Sequence, residues 1–283
     1  LRALMFIVTV AGIFLVSILI GTITSGLEAR LDELRKGRSR VIEQDHTLIL
    51  GWSSKIQSII GELIIAAENQ KRPCIVILAN RDKVEMEDEI KSKFATTKNT
   101  RVICRSGDPL DLDDLAVVDP HGARSIIVLA PEDENPDIHV IKSVLAITNN
   151  PARKSGRYHI VGEIRDDKNL EAAALVGGDE AIFVQGEDLI ARVTAQTCRQ
   201  SGLSVVYTEL LDFDGAEIYF KQEPGLVGKT YREALGGFDE SALIGLMRAG
   251  REVLVNPPMD TVIGPGDQII AISEDDDTIR MDL

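Results

Sequence analysis

The chain has 283 residues, of which 44% are hydrophobic and 27% charged. With 45 acidic residues against 31 basic ones its formal net charge is −14, which argues against a nucleic-acid partner, since those surfaces favour excess Lys and Arg. Cys74, Cys104 and Cys198 have neither metal-ligand nor redox spacing. Cys74 and Cys104 sit in apolar runs and are expected to be reduced core residues.

The first element is an uncharged apolar run, Ala3–Thr24. At about 22 residues it matches the length that spans a bilayer core. A signal peptide is the weaker reading, because the run exceeds the usual apolar core and offers no A-x-A cleavage site. Arg2 alone precedes it, whereas Arg30, Arg35, Lys36, Arg38 and Arg40 follow. Basic residues mark the cytoplasmic side, so a membrane location is expected, with the remaining mass in the cytoplasm. Leu1 is not Met and one span makes no pore, so further membrane segments are expected upstream. Leu27, Leu31 and Leu34 predict a helix leaving the membrane, ended by Gly37, within a linker over residues 27–46.

From Thr47 to about Ser201, short apolar runs alternate with helical patterns. Strands are predicted at Thr47–Trp52, Cys74–Ala79, Arg101–Cys104, Ser125–Leu129, His159–Glu163 and Ala181–Val184. Ile56, Ile59, Ile60, Leu63, Ile64 and Ala67 fall on one helical face. Further helices are predicted at Leu110–Val117, Ile138–Thr148, Lys168–Val176 and Asp188–Gln200. This alternation implies an α/β fold, a Rossmann-like doubly wound parallel sheet over residues 47–202. From residue 203 the pattern changes to short strands, predicted at Val205–Tyr207, Ala216–Phe220, Leu243–Met247, Val253–Val255 and Gln268–Ile272, with a short helix at Tyr231–Leu235. Turns at Glu223-Pro224-Gly225, Asn256-Pro257-Pro258 and Gly264-Pro265-Gly266-Asp267 separate them into a small α+β lobe, residues 203–283.

In a doubly wound sheet, ligands bind beyond the carboxyl ends of the strands. Three loops fall there. Gly51-Trp52-Ser53-Ser54-Lys55-Ile56 keeps the first glycine of a dinucleotide fingerprint, while Ser53 and Ile56 replace the other two. The helix start that follows can still hold an anion, with Ser53 or Ser54 as cap or phosphate contact. Asn80-Arg81-Asp82 follows the second strand, where NAD binding needs an acid on the ribose; Asp82 could equally cap a helix. Arg105-Ser106-Gly107-Asp108 ends the third strand with two opposite charges and a glycine that permits close backbone approach. The cofactor-binding candidates are therefore Gly51, Ser53, Asn80, Asp82, Arg105, Ser106, Gly107 and Asp108, with NAD as the ligand class. After the fourth strand, Glu132, Asp133, Glu134 and Asp137 offer carboxylates for calcium, although the EF-hand pattern is absent and a solvated loop with a helix cap fits as well. His46, His121, His139 and His159 show no ligand spacing.

Four segments carry a family resemblance: Thr47-Leu48-Ile49-Leu50-Gly51-Trp52-Ser53, Ile103-Cys104-Arg105-Ser106-Gly107, Val176-Gly177-Gly178-Asp179 and Ala271-Ile272-Ser273-Glu274-Asp275-Asp276-Asp277-Thr278. Together with the linker segment Leu34-Arg35-Lys36-Gly37-Arg38-Ser39, this order resembles the Castor/Pollux ion channels of plant symbiosis and their bacterial relatives. The resemblance implies an RCK-type regulatory unit, with residues 47–202 as its Rossmann-like lobe and 203–283 as its C-terminal lobe. It further implies a homotetrameric cation channel whose cytosolic domains self-associate into a gating ring, regulation by calcium, and residues 1–26 as the pore-lining helix. The expected function is thus gating by ligand, not catalysis. Two alternatives are an RCK-type regulator of a cation transporter or exchanger, and a membrane-anchored NAD-dependent oxidoreductase. The second needs an acid–base constellation at a strand end that the sequence does not offer.

Overall fold

The computed structural model describes residues 2, 12–24, 37, 39–250 and 252–281. Residues 12–24 form helix α1, whose apolar side chains, among them Phe14 and Leu19, are exposed. Residues 3–11 of the expected span and 25–36 of the expected linker helix lie outside the described residues. Among the described residues no helix is long and apolar enough to cross a membrane.

The chain divides into two compact units, Leu1–Asp188 and Leu189–Leu283. The first holds a six-stranded parallel sheet: β1 (Thr47–Leu50), β2 (Cys74–Ala79), β3 (Arg101–Ser106), β4 (Ser125–Val128), β5 (Ile160–Glu163) and β6 (Ala181–Val184), in the order β3-β2-β1-β4-β5-β6. That is the dinucleotide-fold order, with its switch point between β1 and β4. Helix α2 (Ile56–Ala66) and helix α3 (Lys83–Lys93) cover one face. Ile56, Ile60 and Ile64 of α2 are buried there with Met86 and Ile90 of α3. Each fully buried side chain of this size stabilises by about 1.5–3 kcal/mol. Helices α4 (Leu112–Val117), α5 (Pro136–Thr148) and α6 (Leu170–Gly177) supply the other core, through Leu115, Val140, Val144 and Ala173. Alternate residues of β1 feed the two cores, Leu48 and Leu50 on one side and Ile49 on the other.

Helix α3 has no counterpart in the periodicity. Its sequence KVEMEDEIKSK offers Met86 and Ile90 as its only buried residues, too few to mark an apolar stripe. What starts it is local chemistry: the Asp82 side chain accepts from the amides of Val84 and Glu85. Cys104 is buried and Cys74 partly so; both are free thiols. Burial pushes the Cys104 thiol up to about 12.

Helix α7 (Gly186–Arg199) follows β6 directly. The strand predicted at Val205–Tyr207 is instead part of helix α8 (Leu203–Leu211). Gly202, in the left-handed region at φ 92°, separates α7 from α8 and lets the chain re-enter a helix at once. Strand propensity at Val205-Val206 is a weak prior, overridden here by the turn that restarts the helix. The second unit's sheet is antiparallel, from β7 (Glu217–Lys221), β8 (Ala242–Met247), β9 (Val253–Val255) and β10 (Gln268–Ser273), in the order β7-β10-β8-β9. Helix α9 (Tyr231–Leu235) is only five residues long and is fixed by a capping box between Thr230 and Glu233. Its Tyr231 and Ala234 sit in a core with Leu226, Leu246, Ile269 and Ala271.

Candidate functional site

A cleft of about 400 Å³ opens at the carboxyl ends of β1 to β4, at the switch point. Its apolar part is Leu50, Ala79, Leu110, Leu129 and Pro131; Asn80, Arg81, Asp108, Asp133 and His139 give it polar groups. Trp52, the chain's one tryptophan, lines it too.

The β1–α2 turn is built around Gly51. Its φ is +94°, and a Cβ there would stand 2.9 Å from the Leu129 carbonyl oxygen. Its amide donates to the Leu78 carbonyl at 2.8 Å, which fixes the turn against β2. Ser53 is buried, and its hydroxyl has no partner among the described residues. One amide of the turn leading into α2 is already occupied. The Ser54 amide donates to the Glu132 carboxylate at 3.0 Å. The hydroxyl and amide of Ser54 hold the Glu132 carboxyl below the ordinary carboxylate range. Lys55, next along, is ion-paired to Glu163.

At the tip of β2, Asn80 and Arg81 face the cleft, whereas Asp82 is spent on capping α3. Asp82 is therefore a helix cap and is not among the residues lining the cleft. The Arg81 guanidinium lies 4.9 Å from the centroid of the Trp52 ring and pairs with Glu89 at 2.8 Å and Glu85 at 3.6 Å.

At the end of β3 the four candidates part company. Asp108 lines the cleft and accepts from the Leu110 amide at 2.9 Å. Gly107 is required by packing: a Cβ there would come within 2.9 Å of both the Asp114 carboxylate and Leu78. The Ser106 hydroxyl is buried without a partner among the described residues. Arg105 turns away from the cleft to the linker, where its Nε donates to the Ser39 carbonyl at 2.7 Å. This contact belongs to a longer docked strap. The Val41 amide donates to the Val117 carbonyl at 2.7 Å, and Val41 is buried. Glu43 pairs with Arg101, and the His46 ring meets the Val118 carbonyl at 3.1 Å. Burial lowers the His46 pKa, against opposing hydrogen bonding and charge from Val118 and Asp119.

The four carboxylates assigned to calcium do not converge. Glu132 accepts from the Ser54 amide. Asp133 faces the cleft, accepts from the Asn135 amide, and lies 3.0 Å from His139 Nε2. Glu134 is exposed. Asp137 is buried and accepts from the Arg165 amide, the Asp166 amide and the Asn169 side chain, each at 2.9 Å. Among the described residues no group of three or more His, Cys, Asp or Glu side chains is placed to hold a metal ion. The physical reason is that backbone donors claim these carboxylates first. His139 was missed as a cleft residue because its partner Asp133 is six residues away, across a loop and a helix start, which no ligand spacing would show.

Three comparisons bear on this arrangement. Residues 187–283 match the family model described as "Castor and Pollux, part of voltage-gated ion channel". The probable ion channel CASTOR of Oryza sativa subsp. japonica is 38% identical over 275 residues, covering 96% of this chain and 31% of that protein. The calcium-gated potassium channel TvoK of Thermoplasma volcanium is 24% identical over 282 residues, 96% of this chain and 74% of that protein. The human SLO3 gating ring matches the fold with a TM-score of 0.55 at 18% identity, over 83% of this chain and 45% of that one. The chain spans about a third of the length of the first curated relatives it matches.

Proposed function

For a chain similar to the Castor and Pollux ion channels along nearly its whole length, we propose that it is the cytosolic, RCK-type regulatory part of a ligand-gated cation channel and not an enzyme. In this reading residues 3–24 belong to a membrane-spanning, pore-lining helix. Copies of the chain associate into a gating ring, as a homotetramer. The cleft at the ends of β1 to β4 binds the gating ligand, and the linker carries the response to the pore.

One observation carries the reading. Strand β3 joins cleft and linker within four residues: Asp108 lines the cleft, and Arg105 holds the Ser39 carbonyl. A ligand that repositions the 106–108 turn in one state and not the other changes how firmly the strap docks. Only such differential affinity can shift a two-state equilibrium. The identity of relatives named as ion channels supports the channel assignment. The name of TvoK supports calcium as a regulator, but the scattered carboxylates favour the cleft over Glu132–Asp137 as the ligand site.

Trypsin tests the coupling. Cleavage after Arg40 requires the 40–41 peptide to leave its dock, because Val41 is buried and bonded to Val117. Arg105→Ala removes a charge-assisted hydrogen bond and should speed this cleavage by about tenfold. Of millimolar adenosine, ADP and NAD, at least one should change the rate in the wild-type chain. If Arg105→Ala cleaves like wild type and no ligand alters either rate, the cleft does not communicate with the linker.

A further inference from the structure

We infer that Glu132 is a built-in competitor for the phosphate position of the cleft, so that the ligand recognised there is an uncharged nucleoside and not a dinucleotide. This rests on the reading of the cleft as the ligand site.

In a dinucleotide fold the pyrophosphate sits on the amides that open the helix after β1. Here α2 begins at Ile56, and in the turn ahead of it the amide just past the fingerprint's second position, that of Ser54, already donates to a carboxylate of the same chain. Glu132 reaches it from the loop after β4, between Pro131 and Asp133, both of which line the cleft. Glu132 and Ser54 are not themselves lining residues; their neighbours Trp52, Pro131 and Asp133 are, so the carboxylate stands at the edge of the cleft. A phosphate would have to displace Glu132 and then sit beside it, like charge against like charge.

The remaining charges point the same way. Arg81 is engaged by Glu89 and Glu85 and stacked on Trp52. Lys55 is engaged by Glu163. His139 faces Asp133. Asp108 and Asp133 add negative charge to the wall. What the cleft does offer is an indole ring, an apolar floor, and Asn80, Asp108 and Asp133 as hydrogen-bond partners. Carboxylates and a carboxamide suit the hydroxyls of a sugar, and an aromatic and aliphatic surface suits a base. That set matches a nucleoside without its phosphates.

Trp52 fluorescence and calorimetry can read binding of adenosine, ADP and inorganic pyrophosphate to the whole chain. Wild type should bind adenosine more tightly than ADP. Glu132→Gln, which keeps shape and removes charge, should raise ADP affinity by about tenfold and leave adenosine within about twofold, the pattern of one like charge removed from beside an anion. Glu132→Asp keeps the charge and should keep ADP weak, and unchanged adenosine binding in both variants shows that they are folded. If adenosine binds but Glu132→Gln gains nothing for ADP, or if ADP already outbinds adenosine in wild type, Glu132 is not a competitor although the cleft remains a ligand site. If no probe binds wild type or variant, the cleft reading itself fails and the role of Glu132 falls with it.

Discussion

Asp137→Ala distinguishes a structural carboxylate from a calcium ligand. Asp137 opens α5 with only 3% of its surface exposed, and accepts three N–H groups, all at 2.9 Å. Its removal leaves the Arg165 and Asp166 amides without their acceptor at the end of β5. Both amides are only part-buried, so each lost acceptor costs toward the lower end of about 1–3 kcal/mol. The lost charge at the start of α5 adds about 0.5 kcal/mol. Because these terms are not additive, the expected loss is about 3 kcal/mol, or roughly 6–12 °C in Tm for a unit of this size. Trp52 is the chain's one tryptophan and sits in the same unit, so its fluorescence follows this unit's unfolding in urea or on heating. The effect has a defined pH dependence. Burial opposes ionisation of Asp137, but the Asn169 side chain and the Arg165 and Asp166 amides hold its pKa below the usual value. A depressed folded-state pKa stabilises above the unfolded value of about 3.9, and that stability is lost as pH falls through the folded value. The gap between wild type and Asp137→Ala should accordingly be full at neutral pH and close below about pH 4. A Tm within about 1 °C of wild type, or a loss that appears only with calcium present, would refute the structural account.

Gly51→Ala should cost about 2 kcal/mol or more, since it combines a left-handed backbone at φ +94° with a Cβ placed 2.9 Å from a backbone oxygen; a urea midpoint equal to wild type would contradict the turn geometry. Asp82→Ala should cost about 1 kcal/mol through loss of the α3 cap and leave adenosine binding unchanged, so weakened binding by titration would return Asp82 to the ligand site. The faster tryptic cleavage of Arg105→Ala and the gained ADP affinity of Glu132→Gln complete the set, one reading the linker and the other the cleft.

Much of the fold was legible from hydrophobic pattern, because parallel strands buried on both faces leave unbroken apolar runs such as Leu48-Ile49-Leu50, and α2 leaves a full apolar face. The elements lost were those whose cause is not periodic. Helix α3 depends on the Asp82 cap and two buried residues, and α8 on a left-handed Gly202 that reverses a local preference for strand. The candidate site was legible only as a place: the loops after β1, β2 and β3 meet at the switch point, and Gly51, Asn80 and Asp108 line the cleft there. Sequence identifies which residue types reach a strand end, but not which partner claims each one. Asp82, Glu132 and Asp137 are carboxylates of equal promise on paper, and backbone amides take all three, those of the next turn for Asp82 and those of remote segments for Glu132 and Asp137. Arg105 goes to the linker for the same reason, since the Ser39 carbonyl lies 66 residues away in sequence and within hydrogen-bond reach in space. Composition and periodicity determine the sheet, because burial of apolar area is non-directional and repeats along the chain. Hydrogen-bond partners are set by distances of a few ångströms across remote segments, and only the tertiary structure decides those.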